Sequence, residues 1–353
     1  MARPLLARVQ RSRARDRARA SDGAAVTSAQ ALVSIVLPCH QEEEHLASAL
    51  ERLLRQTHDR IEILVVDDAS TDRTGEIARG AAESDERVRP LTQEVNAGVA
   101  AARERGVGEA RGEWIWMVDA DDVWPDDAVE ILLAAALSTR ADVVVGGAVT
   151  VEPGGTTPIG GLRGPVALSG RGAFDALLVG ELTGHLWNKL FRRTLFDGID
   201  FTRIRQHSDQ AQVAQLLAAA DEVAVIPDRV YEYHLRSGSI IRSGAKRADS
   251  LAALARVVEK TAEGLDPRLT GSPEFAYYQA RFNLLSRFKD ATSGAHEAGE
   301  ADRLWRETHG EASLRHLIAL AGHRDAKRAV LFALAWGAPA LYRRAMDAGR
   351  ARR

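Results

Sequence analysis

Cysteine is almost absent from this 353-residue chain, with Cys39 the single example. One thiol excludes a disulfide framework within the chain and suits a reducing compartment. An excess of either charge is also missing. Against 49 Asp and Glu stand 47 Lys and Arg, a formal net charge of -2. That balance supplies no general attraction to nucleic acid. Long hydrophobic runs are lacking, and no stretch reaches the ~20 apolar residues that cross a bilayer. Neither a G-x-G-x-x-G following a strand nor a G-x-x-x-x-G-K-[ST] occurs. A glycine-rich phosphate cradle of either kind is therefore not indicated.

What remains is the composition of an ordinary globular protein, 45% apolar and 27% charged. The length suits one large domain with a smaller companion. Seven of the first nineteen residues are Arg, with no apolar stretch behind them to make a secretory signal. Residues 1–30 read as a disordered basic arm, the alternative being weak attraction to anionic lipid.

Val33 to Leu37 is an apolar, β-branched run closed by Pro38, the pattern of a buried parallel strand. Leu46, Leu50, Leu53 and Leu54 then recur at helical spacing, and Glu42, Glu43 and Glu44 are expected in the first turn of a helix over 42–55. Ile61 to Val66 is a second strand and Val88 to Leu91 a third. Asn96-Ala97-Gly98 is a turn leading into an Ala-rich helix over 99–110. Trp114 to Val118, the helix Asp126 to Leu137 and the strand Asp142 to Val145 follow. Strands alternating with helices at short spacing predict an α/β fold, with a mostly parallel sheet covered on both faces.

Two of these strands run into acids. One ends at Asp67-Asp68. The other, in WIWMVDADDVWPDD, ends at Asp119, Asp121 and Asp122. Parallel strands deliver such residues to one sheet edge, where open α/β sheets bind ligands. Like charges so close repel unless a cation or hydrogen-bond donors offset them. Mg²⁺ or Mn²⁺, which carry substrate phosphates with them, are the natural partners. The alternative is an Asp-rich turn capping the next helix.

The string VSIVLPCHQEEEHLASALERLLRQTHDRIEILVVDDASTDRTGEIA, with NAGVAAARERGVGEARGEWIWMVDADD after it, resembles the N-terminal half of a family 2 glycosyltransferase. WNKLFRRTLF and HSDQAQVAQLLAAADEVAVIPDRVYEYHLRSGSI are similar to the second half, less tightly patterned. The resemblance implies the GT-A fold and a nucleotide-sugar donor. It places Pro38 and its neighbours against the nucleobase, Glu42 facing the nucleoside, and Asp68 accepting the N3–H of a uracil. Asp121 would bind the metal on the diphosphate. Asp119 would approach the ribose, or the metal through water, and Asp122 would support them. Asp209 aligns with the general base, although Ser208 replaces the Glu that usually precedes it. The alternative for Asp209 is a cap on a helix over 210–220. His234 lies where relatives contact diphosphate or metal, and is otherwise a packed residue. Trp187, Asn188 and Lys189 lie on the acceptor side in relatives. Lys189 is a candidate to neutralise phosphate, and the alternative puts this segment in the core.

From residue 245 onward the pattern turns helical, with Ala252 to Val258, Phe275 to Phe288 and Leu314 to Leu320 at helical apolar spacing. The expected domains are thus the arm 1–30, a GT-A domain over 31–245 and a helical region over 246–353. Ala329 to Tyr342 is an apolar or small segment between Lys327-Arg328 and Arg343-Arg344. It suits either a buried helix or peripheral contact with a membrane through residues 327–344.

The reading that follows is an inverting transferase. It moves a sugar, expected from a UDP-linked donor, to a hydroxyl of a glycan or lipid-linked acceptor for the cell envelope. Its expected place is the cytoplasm, at the inner face of the plasma membrane. A sugar-1-phosphate nucleotidyltransferase would need a Gly-rich basic loop after strand one, where this chain has the acidic Pro38-Cys-His-Gln-Glu-Glu43. A non-catalytic nucleotide-sugar-binding scaffold with a decayed site is the alternative from another class.

Overall fold

The computed structural model describes residues 30–152, 154–234 and 247–350. The basic arm over 1–30, but for its last residue, and the domain boundary near 245 lie outside them. By its contacts the chain forms two compact units. The first takes residues up to Phe174, Glu181–Arg203 and Ser208–Leu235. The second takes Asp175–Gly180, Ile204–His207 and the chain from Arg236 on.

In the first unit the order opens β1 (Val33–Cys39), α1 (Leu46–Leu54), β2 (Ile61–Asp67), α2 (Thr74–Ser84), β3 (Val88–Thr92), α3 (Val99–Glu109) and β4 (Trp114–Met117). It continues α4 (Ala128–Thr139), β5 (Val143–Glu152), β6 (Gly155–Ile159), β7 (Val166–Ser169), α5 (Gly170–Val179, whose residues from Asp175 on count with the second unit), β8 (Lys189–Arg192), α6 (Ser208–Ala219) and β9 (Glu222–His234). Together the strands make a nine-stranded sheet in the order β3-β2-β1-β4-β8-β5-β9-β7, with β6 on β5. Helices flank this sheet, as the alternating pattern requires.

Only half of the sheet is parallel. β1 pairs in parallel with β2 and β4, and β2 with β3. β8 then inserts antiparallel between β4 and β5, and β7 runs antiparallel to β9. The four-residue β8 is too short to show a period. β1, β2 and β4 are buried on both faces, which explains their nearly unbroken apolar sequence. Leu46, Leu50 and Leu53 of α1 share one buried face against the sheet.

One expectation is corrected here. Glu42, Glu43 and Glu44 precede α1, which starts at Leu46 and has no acid in its first turn. Glu43 instead accepts the N–H of Arg73 at 3.1 Å, at the start of α2. The favourable dipole contact exists, but with a different helix.

The second unit is helical: α7 (Ala248–Leu265), α8 (Pro273–Tyr278), α9 (Leu285–Ala291), α10 (Ala298–Glu311), α11 (Leu314–Gly322), α12 (Ala326–Gly337) and α13 (Pro339–Arg350). A π-helical turn, Gln279–Leu284, joins α8 to α9. Phe288, Trp305, Leu320, Phe332 and Tyr342 belong to its own core. The segment 327–344 divides at Pro339 into α12 and α13 and presents two faces. Phe332 and Tyr342 are buried, whereas Val330 and Leu341 are more than half exposed. No helix among the described residues is long and apolar enough to cross a membrane.

Candidate active site

Because β1, β2 and β4 are parallel neighbours, Pro38, Asp68 and Asp119 emerge on one rim. Asp68 is buried and fully engaged. Its carboxylate accepts from Gln93 Nε2 at 2.6 Å, Ala97 N at 2.8 Å and Gly98 N at 2.7 Å. It therefore fixes the Asn96–Gly98 turn, where Gly98 adopts φ +86 at the start of α3, a conformation glycine reaches at no steric cost. His40 joins this corner. Its Nδ1 contacts the Asp68 carbonyl at 2.9 Å and its Nε2 the Asn96 amide at 3.0 Å. The carbonyl can only accept, so Nδ1 carries the proton and Nε2 accepts from Asn96. Glu42 is held by Thr74, whose Oγ1 accepts the Glu42 N–H, and by His45 at its own Oε2.

The acids after β4 form a turn in which Asp122 N donates to Asp119 O at 3.2 Å. Reciprocal backbone bonds between Val123 and Glu232 pin this turn to β9. The Tyr231 hydroxyl links the two: it accepts from Asp119 N at 3.2 Å and donates to Asp122 Oδ2 at 2.9 Å. His234 N donates to Asp122 Oδ1 at 3.1 Å. Asp122 is thus an enclosed brace. Burial, with the charges of Asp119 and Asp121 added, pushes its carboxyl up to about 8. His234 serves this brace through its backbone, while its ring lies 3.8 Å from Glu232.

Arg103 of α3 reaches into the same rim. Its buried guanidinium lies 3.4 Å from Asp119 Oδ1. Burial raises the Asp119 carboxyl, the Arg103 charge opposes that, and Asp121 and Asp209 raise it further. Such mutual influence brings Asp119, Asp121, Asp209 and Arg103 into one electrostatic neighbourhood.

Asp209 lies in the first turn of α6. One oxygen accepts the Gln210 N–H at 2.8 Å, a local cap. The other lies 3.5 Å from His185 Nδ1. Capping and facing a partner are thus both true of this side chain. Burial works to raise its carboxyl, but His185, the Arg103 charge and the Gln210 N–H outweigh it and hold it at about 2. The His185 ring stacks on Trp187 with centroids 4.6 Å apart, and Trp187 stacks on Tyr231 at 4.4 Å.

Lys189 lies beneath this stack. Its buried ammonium donates to His185 O at 2.6 Å, Asn188 Oδ1 at 2.9 Å and Thr183 Oγ1 at 3.3 Å. Burial pulls it down to about 7, with Asp209 opposing. The expected phosphate contact is thus replaced by a post that carries the His185–Trp187 segment. Trp187 is likewise buried, as the core alternative had it.

Arg103 and His185 were not singled out in the sequence. Arg103 sits in an Ala-rich helix with no motif of its own, and His185 precedes the Trp187–Lys189 segment. Among the described residues, no group of three or more His, Cys, Asp or Glu side chains is placed to hold a metal unaided.

A mixed α/β sheet flanked by helices, with acids gathered at the ends of its parallel strands, is the GT-A fold. The family model "Glycosyl transferase family 2" matches residues 34–199. Glycosyltransferase GlyG of Streptococcus pneumoniae is 29% identical over 268 residues, 73% of this chain and 88% of that protein. The putative teichuronic acid biosynthesis glycosyltransferase TuaG of Bacillus subtilis is 26% identical over 235 residues, 67% of this chain and 91% of the relative. The crystal structure of S. aureus TarS 1–349 in complex with UDP-GlcNAc shares the fold with a TM-score of 0.69 at 20% identity, covering 90% and 91% of the two chains. Residues 34–199 thus match a family 2 glycosyltransferase, on a sheet with the GT-A fold.

Proposed function

We propose that the enzyme moves a sugar from a UDP-linked donor to a hydroxyl of a cell-envelope glycan or a lipid-linked acceptor, with inversion at the anomeric carbon. The observation that supports this reading is Arg103 lying 3.4 Å from Asp119 at the end of β4, with Asp121 and Asp209 near enough for their charges to act on the same carboxyl. Names of relatives support the donor and pathway: TarS was crystallised with UDP-GlcNAc, and TuaG is assigned to teichuronic acid.

The acids suit a divalent cation. Mg²⁺ in particular is commonly held by one or two carboxylates completed by substrate phosphates, without an all-protein cage. Asp121 would hold it, with Asp119 beside it or on the ribose. When bound, it supplies charge neutralisation to the departing diphosphate. The chain's own residues do the rest. Asp68 shapes the nucleobase corner between Pro38, Glu42 and the Asn96–Gly98 turn. Asp122 and His234 hold the acidic turn rigid. Asp209 takes the acceptor's proton as its oxygen bonds to the anomeric carbon and the diphosphate oxygen leaves. His185 and Lys189 position Asp209 and the aromatic wall. Val330 and Leu341, exposed beside the basic flanks of 327–344, are the residues to contact a membrane carrying a lipid-linked acceptor.

Asp209→Asn tests the assignment. Donor binding by calorimetry with Mn²⁺ should persist, while transfer falls about 10²- to 10⁴-fold, the usual worth of a general base. Undiminished transfer would remove Asp209 from that role.

A further inference from the structure

The helical unit holds a cavity of about 490 Å³ that has no part in the donor site. That volume lies in the usual range for small-molecule pockets, about 300–1,000 Å³. Arg256 of α7, Arg287 of α9 and Arg315 of α11 line it, against Glu259 and Glu311. Arg287 is only 5% exposed. Its Nη1 donates to Glu311 Oε2 at 2.6 Å, but its Nε has no hydrogen-bond partner among the described residues. Asn283, four residues earlier and 4% exposed, donates from Nδ2 to Gln279 at 2.7 Å and leaves Oδ1 without a partner.

A buried donor and a buried acceptor thus stand about one turn apart on the same helical segment, and each is costly while unpaired. Asn283 and Gln279 belong to the π-helical turn, a departure from α-helix often found at functional sites. Positive charge prevails around the cavity. His316, held neutral by burial and then by Arg315 with its pKa drawn down to about 4, adds none. Its Nδ1 accepts the Ser313 N–H in the cap of α11, whose N-terminal end lies at the cavity.

A simple anion answers the arginines but not Asn283 Oδ1, which needs a donor. A neutral polyol answers Asn283 but not the excess charge. We propose that this cavity is a second ligand site for a hydroxylated anion, a polyol or sugar bearing a phosphate or carboxylate. The anionic oxygens lie among Arg256, Arg287 and Arg315. Both atoms are closed to solvent as the side chains stand, so a hydroxyl donates to Asn283 Oδ1 and accepts from Arg287 Nε once these side chains turn toward the ligand.

The test titrates the whole protein with glycerol 1-phosphate by calorimetry, with inorganic phosphate and glycerol as separate probes. Saturable binding of glycerol 1-phosphate is expected, at least tenfold tighter than either probe and weakened by salt. The Arg256→Ala/Arg315→Ala double variant, changed only at exposed positions, should lose at least tenfold in that affinity and keep its UDP affinity. A free small ligand and an anionic glycan segment share this chemistry. A short glycerol phosphate oligomer binding more tightly than the monomer identifies the polymer, and equal affinity the free ligand. No saturation by about 10 mM, a scale already weaker than 4 kcal/mol, overturns the site. So does inorganic phosphate binding as tightly as glycerol 1-phosphate, or unchanged affinity in the double variant.

Discussion

His185 Nδ1 lies 3.5 Å from Asp209 Oδ2, and the pair is held in place by the stack of His185 on Trp187. The imidazole is the largest of the influences that hold Asp209 at about 2 against the contrary pull of burial. A carboxyl depressed in the folded state adds stability above its unfolded value of ~3.9, lost as pH falls toward the folded value. His185→Gln removes that partner, so the Asp209 carboxyl should titrate at higher pH. The variant should show an acid limb of activity at higher pH than the wild type, and a smaller loss of stability between about pH 4 and pH 2. At neutral pH, kcat should fall about tenfold, the worth of one charge-assisted bond. A pH–rate profile and acid denaturation check both. An unshifted limb would show that His185 does not act on Asp209.

Asp68→Ala takes the acceptor away from Gln93, Ala97 and Gly98 together. Two of the stranded donors are backbone N–H groups of the turn that starts α3. Stability should drop by about 3 kcal/mol in urea denaturation, and UDP affinity should weaken at least tenfold as the turn loosens. Equal stability in the variant would show that water replaces the carboxylate at no cost.

Gly106 marks the closest approach of α3 to the sheet. A Cβ built there would meet Val36 Cγ1 at 2.5 Å and Val66 Cγ2 at 3.3 Å. Both valines are buried strand residues with stiff side chains. Gly106→Val should therefore destabilise by about 2–3 kcal/mol through overpacking. Because α3 carries Arg103, donor affinity should fall as well. Thermal melts with and without UDP and Mn²⁺ separate the two effects.

β1, β2 and β4 were legible because each is buried on both faces and reads as an apolar block. Asp119, Asp121 and Asp122 were visible as a cluster for the same reason, since they interrupt such a block. What stayed hidden is tertiary. β8 is too short to show a period, and its antiparallel insertion follows from the chain's return path. Arg103 looks like a surface charge until α3 is laid on the sheet and its guanidinium falls beside Asp119. Lys189 looks like a phosphate ligand until three oxygens close around its ammonium. Glu43 sits at the right distance for α1 in sequence, yet the chain turns it to α2.

Calorimetric titration of UDP into wild-type protein and Asp121→Ala, each with and without Mn²⁺, bears most directly on the acidic rim. In the wild type, Mn²⁺ should tighten UDP by at least tenfold. In Asp121→Ala that gain should vanish, while binding without metal and the melting temperature stay close to wild type. Equal Mn²⁺-dependent tightening in the two proteins would contradict the account.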